Sequence, residues 1–392
     1  MLYRTPPLGL DDARALDEIA AMRAELADAL RVPRRWTGRL RRTALALAIQ
    51  GSNSIEGFRV DLDDADAALD DEEPLSADQR TFAEIRGYRQ ALGYVLAMAR
   101  DPHFALDASA LRSMHYMMLA HDLSKSPGQY RRRDIYVHDE RTEQVVYTGP
   151  PPDDVPGLVA ELVEELSAAD GEEPLVQAAM AHLNLVMIHP FRDGNGRMAR
   201  ALQTLVLARR GVAEPEFASI EEWLGANTED YYRVLAGTGR GAWLPGGDAG
   251  LWVSFNLRAH HIQAQTVRRR WRRAQRAYEV LDDRLRTHGL PDRSLDALYS
   301  AMLGFRLRRS TYVDQTGVDE RTASRDFKAM ADAGLLRAVG ETRGRHYVAG
   351  EALREIRAEV GRGEPVVDPY PWLPAELARA GAGPGLARSL ER

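Results

Sequence analysis

Residues 189–200 read HPFRDGNGRMAR. Gly194 and Gly196 carry no Cβ, so backbone N–H groups around them can close on an anion. A helix beginning near Asn195 turns its positive end toward the same place. Arg197 and Arg200 are three apart and share a face of that helix's first turn, where planar guanidinium groups suit phosphate oxygens. Asp193 is a hard oxygen ligand of the kind Mg²⁺ takes alongside a polyphosphate. His189 is the one side chain of the stretch that accepts a proton near neutral pH. Pro190 and Phe191 anchor the loop. Singly, these are a loop histidine, a turn and solvated arginines. Together they describe an anion cradle, a metal ligand and a general base, the parts of a phosphoryl- or nucleotidyl-transfer site.

Outward from this loop the 392-residue chain reads as mostly helical, and it is long enough for two or three domains. Its 44% hydrophobic and 28% charged content is that of a water-soluble globular protein, and a net charge of -6 argues against a wholly polybasic nucleic-acid binder. The absence of Cys excludes disulfide and thiolate chemistry and fits a reducing cytoplasm. No apolar run reaches a membrane span or a signal core. Of 52 basic residues only Lys125 and Lys328 are lysine, which we read as GC-rich bacterial coding. Helical periodicity runs through 11–31, 34–50, 76–99 (with Ser76 as N-cap), 107–121, 153–168, 173–188, much of 217–262, and 266–285. Ile135, Tyr136 and Val137, then Val145, Val146 and Tyr147, flank a polar turn and predict one hairpin. The tail 368–392, rich in Pro and Gly, reads as loosely ordered.

HPFRDGNGR followed by MAR resembles the signature of Fic-domain proteins, HPFx(D/E)GNGRxxR, with no departure at its defining positions. Residues 128–152 resemble the segment holding the family's flap hairpin, and 226–235 a late helix of its domain. The resemblance covers roughly 45–260 and implies an all-α bundle with one β-hairpin. It also implies transfer of AMP from ATP to a Tyr, Thr or Ser hydroxyl of a target protein, the chain itself included. His189 would then be the base, Asp193 the Mg²⁺ ligand, Gly194, Asn195 and Gly196 the anion hole, and Arg197 and Arg200 the phosphate clamps. The hairpin 135–147 would take target backbone as an added strand. A phosphate-transferring branch carries Lys where this chain has Gly196. Phosphocholine transfer and AMP removal share the motif and stand as alternatives.

Residues 52–57, SNSIEG, admit two readings. Asn53 with Glu56 three residues on matches a helix-capping box, with Gly57 allowing a turn. The stretch is also similar to the family's inhibitory motif (S/T)xxxE(G/N), with Ser52, Glu56 and Gly57 at the defining positions. That resemblance implies that Glu56 pairs with Arg200 and withholds it from the γ-phosphate of ATP.

Residues 291–349 read helix, helix, turn at Gly317, helix, then two short strands, a winged-helix order. Arg321, Arg325 and Lys328 would lie on the helix that enters a DNA groove, with Gly340, Arg343, Gly344 and Arg345 on the wing. Ten basic against eight acidic residues over 291–348 is a weak excess for DNA, and the same fold serves in protein docking or dimerisation. The expected organisation is an N-terminal helical region (1–110), the core (111–262), a connecting helix (263–290), the winged helix (291–350) and the tail (351–392). The second reading of the whole is a nucleotide-sensing transcription regulator gripping DNA. The intact His189 favours the enzyme, because a sensor needs no base.

Overall fold

The computed structural model describes residues 1–32, 34–74, 76–139, 143–168, 171–212, 215–341, 345–361, 363, 365–379 and 387–391. In chain order the elements are α1 (Leu10–Leu30), α2 (Arg35–Ile55), α3 (Leu62–Ala67), α4 (Gln79–Ala99), α5 (Ala108–Leu119), β1 (Ile135–Asp139), β2 (Val145–Thr148), α6 (Val155–Ala168), α7 (Pro174–Ile188), α8 (Asn195–Arg209), α9 (Pro215–Ala218), α10 (Glu221–Ala226), α11 (Thr228–Gly239), α12 (Gly250–His288), α13 (Ser294–Leu303), α14 (Arg309–Thr316), α15 (Glu320–Asp332), β3 (Leu336–Val339), β4 (His346–Ala349), α16 (Glu351–Val360), α17 (Leu373–Arg379) and β5 (Ala387–Glu391). The mainly helical fold class with a hairpin is therefore observed. None of the described helices is long and apolar enough to cross a membrane.

The chain divides into two units that are not consecutive stretches: 1–27, 44–264 and 367–392 form the first, and 28–43 with 265–366 the second. At the centre of the first lies α7. Pro174 opens it at a position where a missing N–H costs nothing, and every residue but Pro174 and Val186 is buried. A mostly apolar element buried on all sides sits inside a bundle, and its polar His182 and Asn184 are hydrogen-bonded there. Helix α8 packs along it and is buried over most of its length. Helix α4 begins at Gln79, capped by Asp78, whose carboxylate accepts the Thr81 N–H at 2.9 Å. Ser76, expected as the cap, instead gives its hydroxyl to Asp64 at 2.6 Å.

Helix α2 enters the first unit and ends against α10. A Cβ on Gly51 would lie 2.3 Å from the Glu221 carbonyl oxygen, so the two helices cross backbone to backbone and only glycine fits. The helix then stops in a Schellman motif: the Phe58 N–H reaches the Asn53 carbonyl at 3.0 Å, the Gly57 N–H reaches Ser54 at 3.1 Å, and Gly57 takes φ 85°. The capping-box reading is thereby overturned. Asn53 is near a helix end, not a start, and its side-chain amide donates back to the Ile49 carbonyl at 2.8 Å.

The hairpin forms as expected, β1 pairing antiparallel with β2 and a register irregularity falling between Val137 and His138. Its outer edge was expected to be open. Instead β5, from the end of the chain, pairs antiparallel along all of β1 and makes a sheet of order β2-β1-β5. An open edge offers a row of unsatisfied N–H and C=O groups, which any extended segment within reach satisfies. Residues 368–377 are not loose either. Tyr370, Leu373 and Leu377 join the first unit's core, Tyr370 donates its hydroxyl to Asp12 at 2.9 Å, and Asp368 receives Arg258.

In the second unit α13, α14 and α15 are followed by the ribbon β3-β4 and then α16. Gly317 ends α14 in the left-handed region at φ 69°. Phe327 stacks on Tyr347 at 4.2 Å, and Trp36 reaches Tyr278 at 5.2 Å. Arg321, Arg325 and Lys328 are exposed on α15. Arg343 and Gly344 lie outside the described residues.

Candidate active site

His189 is the first residue beyond α7 and takes φ 52° in the left-handed region, its N–H closing the helix on Leu185 at 3.0 Å. Its Nδ1 lies 3.1 Å from the Val186 carbonyl, which can only accept. The ring proton is therefore on Nδ1, and Nε2 is the proton-accepting nitrogen. Burial pulls its pKa down to about 4, against a smaller opposing effect of Val186. The imidazole is neutral at physiological pH, as a base must be.

The loop after His189 is held rigid by side chains that sequence reasoning missed. Asn195, whose backbone group is expected at the anion hole, staples the loop with both ends of its amide: Oδ1 accepts the Phe191 N–H at 2.9 Å and Nδ2 donates to the Phe191 carbonyl at 2.8 Å. Its side chain thus shapes the loop and leaves its backbone N–H to the cradle. His115 stacks on Phe191 at 3.8 Å and donates Nε2–H to the Asp193 carbonyl at 2.9 Å, its Nδ1 accepting from the Gly128 N–H at 2.8 Å. Arg131 is buried and ties the loop to the hairpin's base, donating to the carbonyls of His189 at 2.8 Å and Pro150 at 2.6 Å.

Gly194 caps α8 at φ 76°. Asp193 accepts the Gly194 N–H on Oδ1 at 2.7 Å and carries the Lys125 ammonium on Oδ2 at 2.8 Å. Burial alone would raise its pKa, but Arg197 and Lys125 outweigh that and hold it below the usual range. Arg197 is fully buried and donates to Glu84 Oε2 at 2.6 Å. Glu84 takes Lys125 on its other oxygen at 2.6 Å. Its pKa is depressed despite burial by His121, Arg197 and Lys125.

Arg200 is clasped by the end of α2. Its Nε donates to the Ser52 hydroxyl at 2.7 Å, and its Nη2 to the Ser52 carbonyl at 3.0 Å and to Glu56 Oε1 at 2.6 Å. Burial lowers the Arg200 pKa and Glu56 more than restores it. The Glu56 carboxylate lies over the cradle itself: a Cβ on Gly196 would sit 2.6 Å from Glu56 Oε1 and 3.2 Å from Arg200 Nη1. That Nη1 and Arg197 Nε are buried with no hydrogen-bond partner among the described residues, which is costly unless an anion completes them.

Glu56, Lys125, His189, Asp193, the 194–196 turn, Arg197 and Arg200 line one cavity of about 960 Å³, with Val137, Val146 and Tyr147 of the hairpin on its wall. Ile135 is buried in the core, Val145 is largely exposed, and neither they nor Tyr136 line the cavity. Tyr147 fixes the hairpin to α7 through its hydroxyl on the Met187 carbonyl. The sequence-selected residues 189–200 and 52–57 are thus brought together. Glu84, Lys125, His115 and Arg131 were not foreseen. The scarcity of lysine was the one sequence signal for Lys125, and we had read it as coding bias.

Residues 105–207 match the Fic/DOC family model. Over that stretch the chain is similar to Fic domains. The protein adenylyltransferase Fic of Nematostella vectensis is 29% identical over 192 residues, 48% of this chain and 42% of that protein. The one from Culex quinquefasciatus is 33% identical over 130 residues, 33% of this chain and 25% of the relative. The chain spans less than half the length of these curated relatives. Among solved structures, a Fic family protein from Desulfovibrio desulfuricans G20 covers 93% of this chain at a TM-score of 0.57 and 24% identity, with all of that chain matched. A Fic-domain signalling protein from Bacteroides thetaiotaomicron covers 64% of this chain, with 96% of its own length matched, at a TM-score of 0.51 and 21% identity. Both are similar to this chain in fold.

Proposed function

We propose that this protein transfers AMP from ATP to a hydroxyl side chain of a target protein and is held inactive by Glu56. The observation that carries the reading is the grip of Ser52 and Glu56 on Arg200, directly over the Gly196 cradle and in the same cavity as His189. The relatives' name, protein adenylyltransferase, supports the same chemistry. The target hydroxyl gives its proton to His189 Nε2 as its oxygen bonds to the α-phosphorus. The bond from that phosphorus to the bridging oxygen breaks, and pyrophosphate leaves. Proton removal contributes typically 10²–10⁴-fold, and the amide groups of 194–196 with Arg197 and Arg200 stabilise charge on the phosphates.

Asp193 fits Mg²⁺. It is a lone loop carboxylate, Mg²⁺ binds through one or two carboxylates plus substrate phosphates, and a cation already stands 2.8 Å from it in Lys125. When bound, the metal would neutralise phosphate charge. A cytoplasmic site of action, where ATP and Mg²⁺ are abundant, accords with this chemistry.

Label transfer from α-labelled ATP with Mg²⁺ tests the reading. Wild type should label itself or a lysate protein weakly, Glu56→Gly strongly and His189→Ala not at all. Equal labelling by all three would overturn it.

For the second unit we propose a winged-helix domain that contacts DNA through Arg321, Arg325 and Lys328, supported by their exposure on α15 beside the β3-β4 ribbon. Replacing all three with Ala should abolish retardation of genomic fragments at low salt. Absence of retardation with wild type would leave docking to protein, a second copy included, as that unit's role.

A further inference from the structure

Lys125 closes the turn after α5, at Leu123–Lys125, and its ammonium is placed between Asp193 on the cavity wall and the buried Glu84 behind it. Nζ lies 2.6 Å from Glu84 Oε1 and 2.8 Å from Asp193 Oδ2. Glu84 meanwhile holds Arg197 on its second oxygen. Two cations and two anions thus neutralise one another beside the cradle. An ammonium has three donors, and these carboxylates take two of them. Arg197 is sealed at 1% exposure, whereas the Lys125 side chain is 15% exposed and ends a flexible four-carbon stem. Of the two, Lys125 is the cation that can turn toward a ligand.

The residue type supports a specific role. Fifty of the chain's 52 basic residues are arginine, yet the position against Asp193 is lysine. A compact point charge fits between two carboxylates converging from different elements. A planar guanidinium fork pairs side-on with one. Charges on both sides, Asp193 before Glu84, keep Lys125 protonated in spite of its burial.

We propose that Lys125 is a resident cation of the phosphate site, standing on the metal's carboxylate and donating its third N–H to the phosphates of a nucleoside diphosphate, so that this site binds nucleotide without a divalent metal. The inference rests on the nucleotide reading of the cavity and adds to it a residue at which lysine and metal share one role. Lys125 stays tethered by Glu84 when a metal takes Asp193, so it remains at the phosphates in both conditions and matters most when the metal is absent.

The test uses the full chain and ADP, which is not turned over, titrated calorimetrically in excess EDTA and again with Mg²⁺, on wild type, Lys125→Met and Lys125→Arg. Wild type should bind ADP in EDTA. Lys125→Met should weaken that binding by roughly 10–100-fold, the range for one hydrogen bond to a charged group, and weaken Mg²⁺–ADP binding far less. Lys125→Arg, which keeps the charge and the fold, should fall between them in EDTA. An equal loss in both conditions would make Lys125 a structural brace of Glu84 and overturn the proposal, as would wild-type binding that vanishes in EDTA or a Lys125→Met titration identical to wild type. Failure of every variant to bind ADP even with Mg²⁺ would overturn the nucleotide reading and this proposal together.

Discussion

Two short segments meet at the cavity, and they are built in opposite ways. The loop 189–194 and the start of α8 carry their chemistry within twelve consecutive residues and brace it locally, Asn195 holding Phe191 and Gly194 capping its own helix. The end of α2 carries the one carboxylate proposed as a brake, and its partners are remote: Arg200 is 144 residues away and the backbone of Glu221 is the surface on which Gly51 rests. In the proposed function the loop must hold several groups in register, which favours contiguity. The proposed brake needs only one carboxylate over the cradle, so it can be supplied by a separate element.

The largest expected effect breaks the loop. His189→Ala should lower AMP transfer by about 10²–10⁴-fold while ADP binding is kept. Because burial holds the His189 pKa down to about 4, its neutral form is the populated one above that value. The wild-type pH profile should therefore show no histidine limb between about pH 8 and 5. The linkage sign follows: a folded-state pKa below the unfolded value means the unfolded chain binds the proton more tightly. Stability is complete above about 6.5, the ordinary histidine value, and declines as pH falls toward 4. His115, lowered to about 4 by burial, acts in the same sense, so thermal unfolding should shift down over that window.

The next effect breaks the brake. Glu56→Gly should raise label incorporation by roughly 10–150-fold, the span of one charged hydrogen bond of about 1.5–3 kcal/mol. Arg200→Ala in that background should lower it again. A correctly folded Glu56→Gly protein no more active than wild type would reduce the Glu56–Arg200 pair to a structural tie.

A smaller effect should come from the seat of the brake. Gly51→Val places a side chain 2.3 Å from the Glu221 carbonyl oxygen, a backbone atom that cannot step aside. Overpacking of this kind costs roughly 1–3 kcal/mol. The variant should melt lower than wild type and label more, though less than Glu56→Gly. Unchanged labelling would mean that α2 holds Glu56 in place without α10.

The smallest effect concerns the hairpin. Removing 387–392 strips β5 from β1 and exposes the edge at which target backbone would add as a strand. Labelling of a target should rise a few-fold, with self-labelling in the Glu56→Gly background unaffected in the catalytic loop. Lower target labelling after truncation would make β5 a brace of the hairpin instead of a competitor for its edge.

By itself the sequence determined the helical class, the hairpin and the turn and helix start at 189–200, because each depends on neighbours a few positions away: apolar periodicity, alternation around a turn, a glycine beside a helix start. It left 52–57 undecided, since Asn53 with Glu56 matches a helix start as well as the end that the Schellman bonds of Gly57 and Phe58 turn out to make. It was silent on Glu84, 113 residues from the Arg197 it holds, and on Lys125, 68 from Asp193 by sequence number. It also gave no sign that the last strand would close the edge of β1. Those pairings follow from how α2, α4, α8 and α10 pack, and packing of buried faces is where chain segments without local pattern acquire partners. Tertiary structure alone therefore decided which charges meet in the cavity, for a buried charge is tolerated only where its counter-charge is brought to it.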